Sequence, residues 1–172
     1  MAESGGSRVL AQTIIGLGGV GKTTVAAAFA HRYASAADIV WWVQADLPST
    51  LVDDLIKLAD RVGIPPLDNR PDRARLLIEF LGGTDRHLLL VFDNVHEDAS
   101  IIPWIPNRGH GVVLVTSRNR NFDRLGGVLD IDVLPTDVAT SFLADRPPSN
   151  GDRWCHSTGS HPSLSRGLVR RP

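Results

Sequence analysis

The chain has 172 residues, of which 42% are hydrophobic and 22% are charged, and its formal net charge is −1. These values are typical of one globular domain with a single core, and they leave too little chain for two full domains. The near-zero charge gives no general attraction to nucleic acid, and no apolar stretch approaches the roughly 18 residues that a membrane-spanning helix needs. The single cysteine excludes an internal disulfide, and residues 1–7 lack a signal-peptide pattern, so we expect a cytoplasmic protein with no specific nucleic acid and no membrane as partner.

Short apolar runs alternate with longer helical patterns along the chain. Runs rich in Val, Ile, Leu or Trp predict five strands, at residues 10–15, 38–44, 87–92, 111–116 and 128–133. Apolar residues at helical spacing predict helices at about 22–35, 49–62 and 71–81, with a weaker one near 97–102. Strands that alternate with helices indicate an α/β fold with a parallel, doubly wound sheet.

A glycine-rich loop lies between the first predicted strand and the first predicted helix. Its glycines allow the backbone to point successive N–H groups at phosphate oxygens, and the N-terminus of the following helix favours an anion. Lys22 is placed to reach the β- and γ-phosphates, Thr23 to put its hydroxyl on Mg²⁺, and Thr24 to bond the α-phosphate. The motif predicts a P-loop NTPase fold that binds a nucleoside di- or triphosphate with Mg²⁺. The predicted binding residues are Gly16, Leu17, Gly18, Gly19, Val20, Gly21, Lys22, Thr23 and Thr24.

A second candidate segment is the buried strand at 87–92, which is followed directly by Asp93. A carboxylate at the C-terminal end of such a strand faces the crevice where open α/β sheets bind ligands. Asp93 can there hold Mg²⁺, directly or through water, opposite Thr23. The alternative is an ordinary aspartate in a turn.

The third candidate segment is the buried strand at 111–116, which brings Thr116, Ser117 and Arg118 to the same edge. A guanidinium group can bind a γ-phosphate through two parallel hydrogen bonds. The alternative is a surface arginine in a loop that also holds Arg120 and Arg124.

These three segments, in this order, resemble the NB-ARC family of signal-transduction ATPases, which is part of the STAND class of P-loop NTPases. The likeness is greatest to bacterial members whose nucleotide-binding domain precedes tetratricopeptide-type repeats. It also includes the segments 38–44 and 104–106, and it places the domain at residues 8–146. The resemblance implies a three-layer fold around a five-stranded parallel sheet, in which the strand before the glycine-rich loop lies between the last strand and the one that carries Arg118.

The resemblance also implies a molecular switch. ADP would hold a closed resting form, and exchange for ATP would permit self-association of the full-length protein. Many related ATPases carry a second acid after the Mg²⁺ aspartate, where this chain has Asn94. Asparagine can hydrogen-bond the attacking water but cannot accept its proton. We therefore expect at most a slow ATPase, with Asn94 and Arg118 as its candidate catalytic residues.

The composition changes after about residue 146, where the family pattern breaks. Residues 147–172 are rich in Pro, Ser, Gly and Arg and show no helical or strand periodicity, so we expect a disordered or aberrant tail after a domain at 8–146, with residues 1–7 also disordered. The family would continue with a lid motif of the type Gly-Leu-Pro-Leu, which residues 159–164 match poorly. This break suggests a truncated or frame-shifted fragment of a longer switch protein.

Two alternatives to the switch stay open. A partitioning-type ATPase is one, although its loop often reads Lys-Gly-Gly-Val-Gly-Lys-Thr-Thr and this chain has Leu17 where that first lysine belongs. A noncatalytic interaction module, or a fragment that no longer binds nucleotide, is the other. The choice of adenine over guanine rests on the family resemblance.

Overall fold

The computed structural model of this protein describes residues 9–119, 122, 125–132 and 168–169. Its six strands form one sheet in the order β5, β1, β4, β3, β2 and β6, and the first five of these are parallel. The predicted α/β fold with a five-stranded parallel sheet is confirmed, and β1 lies between β4 and β5 as the resemblance implied. The strands are β1 (Val9–Ile15), β2 (Ile39–Gln44), β3 (His87–Val95), β4 (His110–Ser117), β5 (Gly127–Asp130) and β6 (Leu168–Val169).

The helices lie close to their predicted positions. They are α1 (Lys22–Tyr33), α2 (Pro48–Val62), α3 (Arg70–Gly83) and the short α4 (Asp98–Ile101), which continues as a 3₁₀ turn over Ile102–Trp104. The weak helix near 97–102 is thus shorter than predicted, because Pro103 has no N–H to donate to the preceding turn. The strand β3 extends past its predicted end at residue 92 to Val95. The last strand was predicted at 128–133, but β5 ends at Asp130, residues 131 and 132 are not in a strand, and residue 133 lies outside the described residues.

Helices cover both faces of the sheet. The alternation of side chains along β3 shows this, because Leu88, Leu90 and Phe92 join the apolar cluster formed with α2 and α3. Leu89 and Val91 point to the other face and join the cluster that contains Ala26 and Ala30 of α1. All five of these β3 side chains are fully buried, which explains why the strand is a continuous apolar run in the sequence.

The parallel strands place their carboxyl ends along one edge of the sheet. The glycine-rich loop follows β1, Asp93 lies near the end of β3, and Arg118 follows β4. Since β1, β4 and β3 are neighbours in the sheet, the three candidate segments meet at this edge.

One short strand was not expected from the sequence. Leu168–Val169 pairs antiparallel with Ile39 and Val40 on the outer side of β2. The other residues of the predicted tail at 147–172, and residues 1–7, lie outside the described part of the chain. None of the helices in the described part of the chain has the length and apolar character of a membrane span.

Candidate nucleotide-binding site

The glycine-rich loop crosses from the end of β1 to the start of α1. Gly16 has φ 150°, and a Cβ added there would lie 2.3 Å from the carbonyl oxygen of Ile131, so the position has no room for a side chain. Gly21 is the N-cap of α1 in the left-handed conformation, and no side chain caps this helix end. The first N–H groups of α1 are therefore available to an anion, as phosphate binding at a helix N-terminus requires.

Lys22 folds back over the loop that precedes it. Its Nζ donates to the carbonyl oxygen of Gly16 at 2.8 Å and to that of Leu17 at 2.7 Å. Burial lowers the pKa of the Lys22 ammonium below its ordinary value, the charge of Arg118 lowers it further, and Asp93 acts in the opposite direction. Two cationic side chains thus face the same space, and a phosphate group between them would relieve their mutual repulsion.

Thr23 and Asp93 face each other across the site. The hydroxyl of Thr23 donates to Asp93 Oδ1 at 3.0 Å, with Oδ2 at 3.4 Å, and the Asp93 residue is only 5% exposed. Magnesium prefers oxygen ligands and is usually held by one or two protein groups together with phosphate oxygens and water. No cluster of three or more His, Cys, Asp or Glu able to hold a metal occurs in the described part of the chain. The hydroxyl of Thr23 and the carboxylate of Asp93 are oxygen donors of this kind, so the pair would fit a magnesium ion that is also bound by phosphate oxygens.

Asn94 follows Asp93 in a strained backbone conformation. It has φ 63°, and it is the one non-glycine residue with positive φ among those described. The pairing of β3 with β4 shifts register between Phe92 and Val95, so Asn94 lies in an irregularity of the strand. Its backbone N–H donates to the hydroxyl of Thr116 at 2.9 Å. The sequence did not predict this bulge, and left-handed backbone at a polar residue is a frequent property of functional sites.

The guanidinium group of Arg118 lies beside Gly18 of the glycine-rich loop. A Cβ added to Gly18 would be 3.7 Å from the Cζ of Arg118 and 3.8 Å from its Nε and Nη1. The guanidinium group therefore stands beside the loop, where it can contact a phosphate held by that loop.

These groups surround one cavity of about 370 Å³ at the carboxyl edge of the sheet. The other four predicted loop residues do not line it: Gly16 and Leu17 accept the hydrogen bonds of Lys22, Val20 lies beside Gly16, and Gly18 lies beside Arg118. The functional roles of all these residues stay predictions. The cavity is lined by Gly19, Gly21, Lys22, Thr23, Thr24, Gln44, Asp93, Asn94, Thr116 and Arg118.

Two lining residues were not assigned a role from the sequence. Gln44 ends β2 and is paired in register with Asp93. Thr116 is buried near the end of β4 and donates from its hydroxyl to Asp93 Oδ1 at 2.5 Å. Both are polar residues at the carboxyl end of an apolar strand, so the pattern that identified Asp93 places them at the same edge but does not give their hydrogen bonds.

The family comparison agrees with the motifs. Residues 2–143 match the model of the NB-ARC domain family. Regulatory protein AfsR of Streptomyces griseus is 31% identical over 152 residues, which cover 83% of this chain and 15% of that protein. The AfsR protein of Streptomyces coelicolor is 32% identical over 152 residues, which cover 82% of this chain and 15% of its length. The chain thus spans a small part of the curated relatives that it matches.

Solved structures share the fold at lower identity. Cdc6p from Pyrobaculum aerophilum superposes with a TM-score of 0.59 at 16% identity, over 83% of this chain and 44% of that one. The Aeropyrum pernix ORC2 protein, solved as ADPNP and ADP complexes, gives a TM-score of 0.52 at 16% identity, over 82% of this chain and 46% of its own. At this identity the likeness shows the fold alone.

Proposed function

The chain belongs to the NB-ARC domain family, a nucleotide-binding domain of the P-loop NTPase type, and from this premise we propose that it is a regulatory switch that binds ADP or ATP with Mg²⁺. The observation that carries the proposal is the meeting of four groups in one cavity. The ammonium of Lys22, the hydroxyl of Thr23, the carboxylate of Asp93 and the guanidinium of Arg118 all line it. Two cations, one hydroxyl and one carboxylate are what a magnesium-bound polyphosphate needs.

The proposed roles follow from position. The N–H groups of the loop and of the first turn of α1 hold the phosphates, with Lys22 released from the carbonyls of Gly16 and Leu17 to meet the ligand. Thr23 and Asp93 hold Mg²⁺, which supplies charge neutralisation at the phosphate oxygens. Arg118 distinguishes ATP from ADP, since its guanidinium group stands beside the loop and can bind a third phosphate through two hydrogen bonds.

We also propose that hydrolysis is weak or absent. Asn94 lines the cavity directly after Asp93, and its amide cannot take a proton from water. No other carboxylate of the described residues lines the cavity besides Asp93, which the magnesium role occupies. Slow turnover suits a switch, because the ATP form must persist long enough to act.

The proposed regulatory role concerns a protein longer than this chain, of the size of its curated relatives. The curated relatives carry the description regulatory protein, and their greater length leaves room for further domains that respond to the nucleotide state. We place this switch in the cytoplasm, where ADP and ATP are present, and propose self-association of the full-length protein in the ATP state.

A phosphate-release assay tests the hydrolysis part of the proposal. Purified protein with saturating ATP and Mg²⁺ should turn over well below about 1 s⁻¹, the low end for efficient enzymes. Turnover above that rate, abolished by Lys22→Ala, would identify a conventional ATPase instead.

A further inference from the structure

We propose that Thr116 is a positioning residue that orients the Asp93 carboxylate toward Mg²⁺, an inference that rests on the proposed nucleotide site. Thr116 lies near the end of β4 and is 1% exposed, so water does not compete for its hydroxyl. That hydroxyl is shared between two neighbouring residues of β3. It donates to Asp93 Oδ1 at 2.5 Å and accepts from the Asn94 N–H at 2.9 Å.

The two hydrogen bonds use the hydroxyl in complementary ways. A threonine hydroxyl has one proton and two acceptor sites. Because the Asn94 N–H must donate, the Thr116 oxygen is its acceptor, and the hydroxyl proton is left for Asp93. The orientation of the carboxylate is thereby tied to the left-handed backbone of Asn94, which lies in the irregular pairing between Phe92 and Val95.

This arrangement leaves the two carboxylate oxygens of Asp93 unequal. Oδ1 receives the hydroxyls of Thr116 and Thr23, at 2.5 and 3.0 Å, whereas Oδ2 has only the longer 3.4 Å contact with Thr23. The terminal torsion of an aspartate is broad when nothing restrains it. Magnesium demands a near-ideal octahedral arrangement of its ligands, so a carboxylate held at one oxygen is a better ligand than one that rotates.

A purely structural role is the competing explanation. Thr116 would then serve only to satisfy the Asn94 N–H and keep the bulge in place. The two explanations predict different effects of Mg²⁺ on the nucleotide affinity of a Thr116 variant. Loss of a structural residue weakens nucleotide binding with and without the metal, whereas loss of a positioning residue weakens only the part that the metal adds.

The test compares Thr116→Val, which keeps the shape of the side chain and removes the hydroxyl, with Thr116→Ser, which keeps the hydroxyl. Calorimetry would give the affinity for a non-hydrolysable ATP analogue in Mg²⁺ and in EDTA. We expect Thr116→Val to reduce the gain in affinity from Mg²⁺ by about tenfold, as is typical when a group that supports a metal ligand is lost. The affinity in EDTA should not change, and Thr116→Ser should retain the gain.

Ser117 offers a matched control on the same strand. It is also buried, but its hydroxyl donates to the Val95 carbonyl at 2.6 Å and accepts from the Asn119 N–H at 3.0 Å. Ser117→Ala should leave the Mg²⁺ gain unchanged. Thermal melting establishes that each variant is folded, and Thr116→Ala provides a second variant without the hydroxyl.

The outcomes separate this inference from the proposed function. If a folded variant without the Thr116 hydroxyl gained as much analogue affinity from Mg²⁺ as the wild-type protein does, the positioning role would be overturned and the proposed function would stand. Equal losses in Mg²⁺ and in EDTA would also overturn it, in favour of the structural role. Absence of analogue binding by the wild-type protein would refute the proposed function, and the positioning role with it.

Discussion

The hydroxyl of Thr23 lies 3.0 Å from Asp93 Oδ1, although 70 residues separate them in the chain. The two come together because β1, which leads into Thr23, is separated from β3 only by β4 in the sheet. On β4, the strand between them, the hydroxyl of Thr116 donates to the same carboxylate oxygen of Asp93. The candidate magnesium site is thus assembled from the first turn of α1 and the carboxyl ends of β3 and β4.

The first prediction concerns the charge of Asp93. Asp93→Asn removes the carboxylate and should reduce the gain in ATP-analogue affinity from Mg²⁺ by more than about tenfold, since a metal ligand matters at least as much as the groups that support it. Titration calorimetry in Mg²⁺ and in EDTA measures that gain. Asp98→Asn is the control, because Asp98 begins α4 and does not line the cavity. A full Mg²⁺ gain in Asp93→Asn would exclude Asp93 as the ligand.

The second prediction concerns selection between ATP and ADP. Arg118→Ala should weaken ATP binding by about tenfold or more, the size of a lost charged hydrogen bond, and should weaken ADP binding less. Parallel titrations with both nucleotides check this. Arg75→Ala is the control, because Arg75 is exposed in α3 and pairs with Asp72 away from the cavity. Equal losses for both nucleotides would show that Arg118 does not contact the third phosphate.

The third prediction concerns the backbone of Asn94. A β-branched residue at its φ of 63° is strained, so Asn94→Val should lower the free energy of unfolding by about 1–2 kcal/mol. Asn94→Gly should change it by less, because glycine adopts this conformation readily. Urea denaturation of the two variants measures the difference. Equal stabilities would mean that the strand is regular at this position in solution.

The fourth prediction concerns Thr13 in β1. Its hydroxyl is buried and, within the described residues, has no hydrogen-bond partner. Thr13→Val keeps the shape of the side chain and removes this unsatisfied group, so it should raise the free energy of unfolding by about 1 kcal/mol. Thr13→Ser keeps the hydroxyl and should not stabilise the protein. A loss of stability in Thr13→Val would show that the hydroxyl has a partner.

The parts of the site that are local in sequence could be predicted from it. The spacing of Gly16, Gly21 and Lys22 specifies a phosphate loop, and the apolar run before Asp93 specifies a buried strand that ends at the ligand edge. The alternation of strands and helices gave the parallel sheet, and the family resemblance gave its order. These features depend on residues that are close together in the chain, or on the regular alternation of strand and helix patterns along it.

The bulge at Asn94 and the role of Thr116 could not be predicted in the same way. Side-chain alternation indicates which face a residue points to, but the register between two strands depends on tertiary packing. The shift between Phe92 and Val95 exists only relative to β4. The hydrogen bonds of Thr116 to Asp93 and Asn94 therefore depend on how β3 and β4 pair in the folded protein.

The central claim is that this cavity binds a nucleotide through Lys22, and thermal unfolding with ADP, ATP and Mg²⁺ tests it most directly. Because Lys22 lies in the first turn of α1 and belongs to neither apolar cluster of the core, Lys22→Ala should remain folded and provide a fair comparison. At a nucleotide concentration of about 100 Kd, the wild-type protein should gain roughly 2.7 kcal/mol of stability, and Lys22→Ala should gain almost none. No stabilisation of the wild-type protein by any nucleotide, or equal stabilisation of both proteins, would contradict the account.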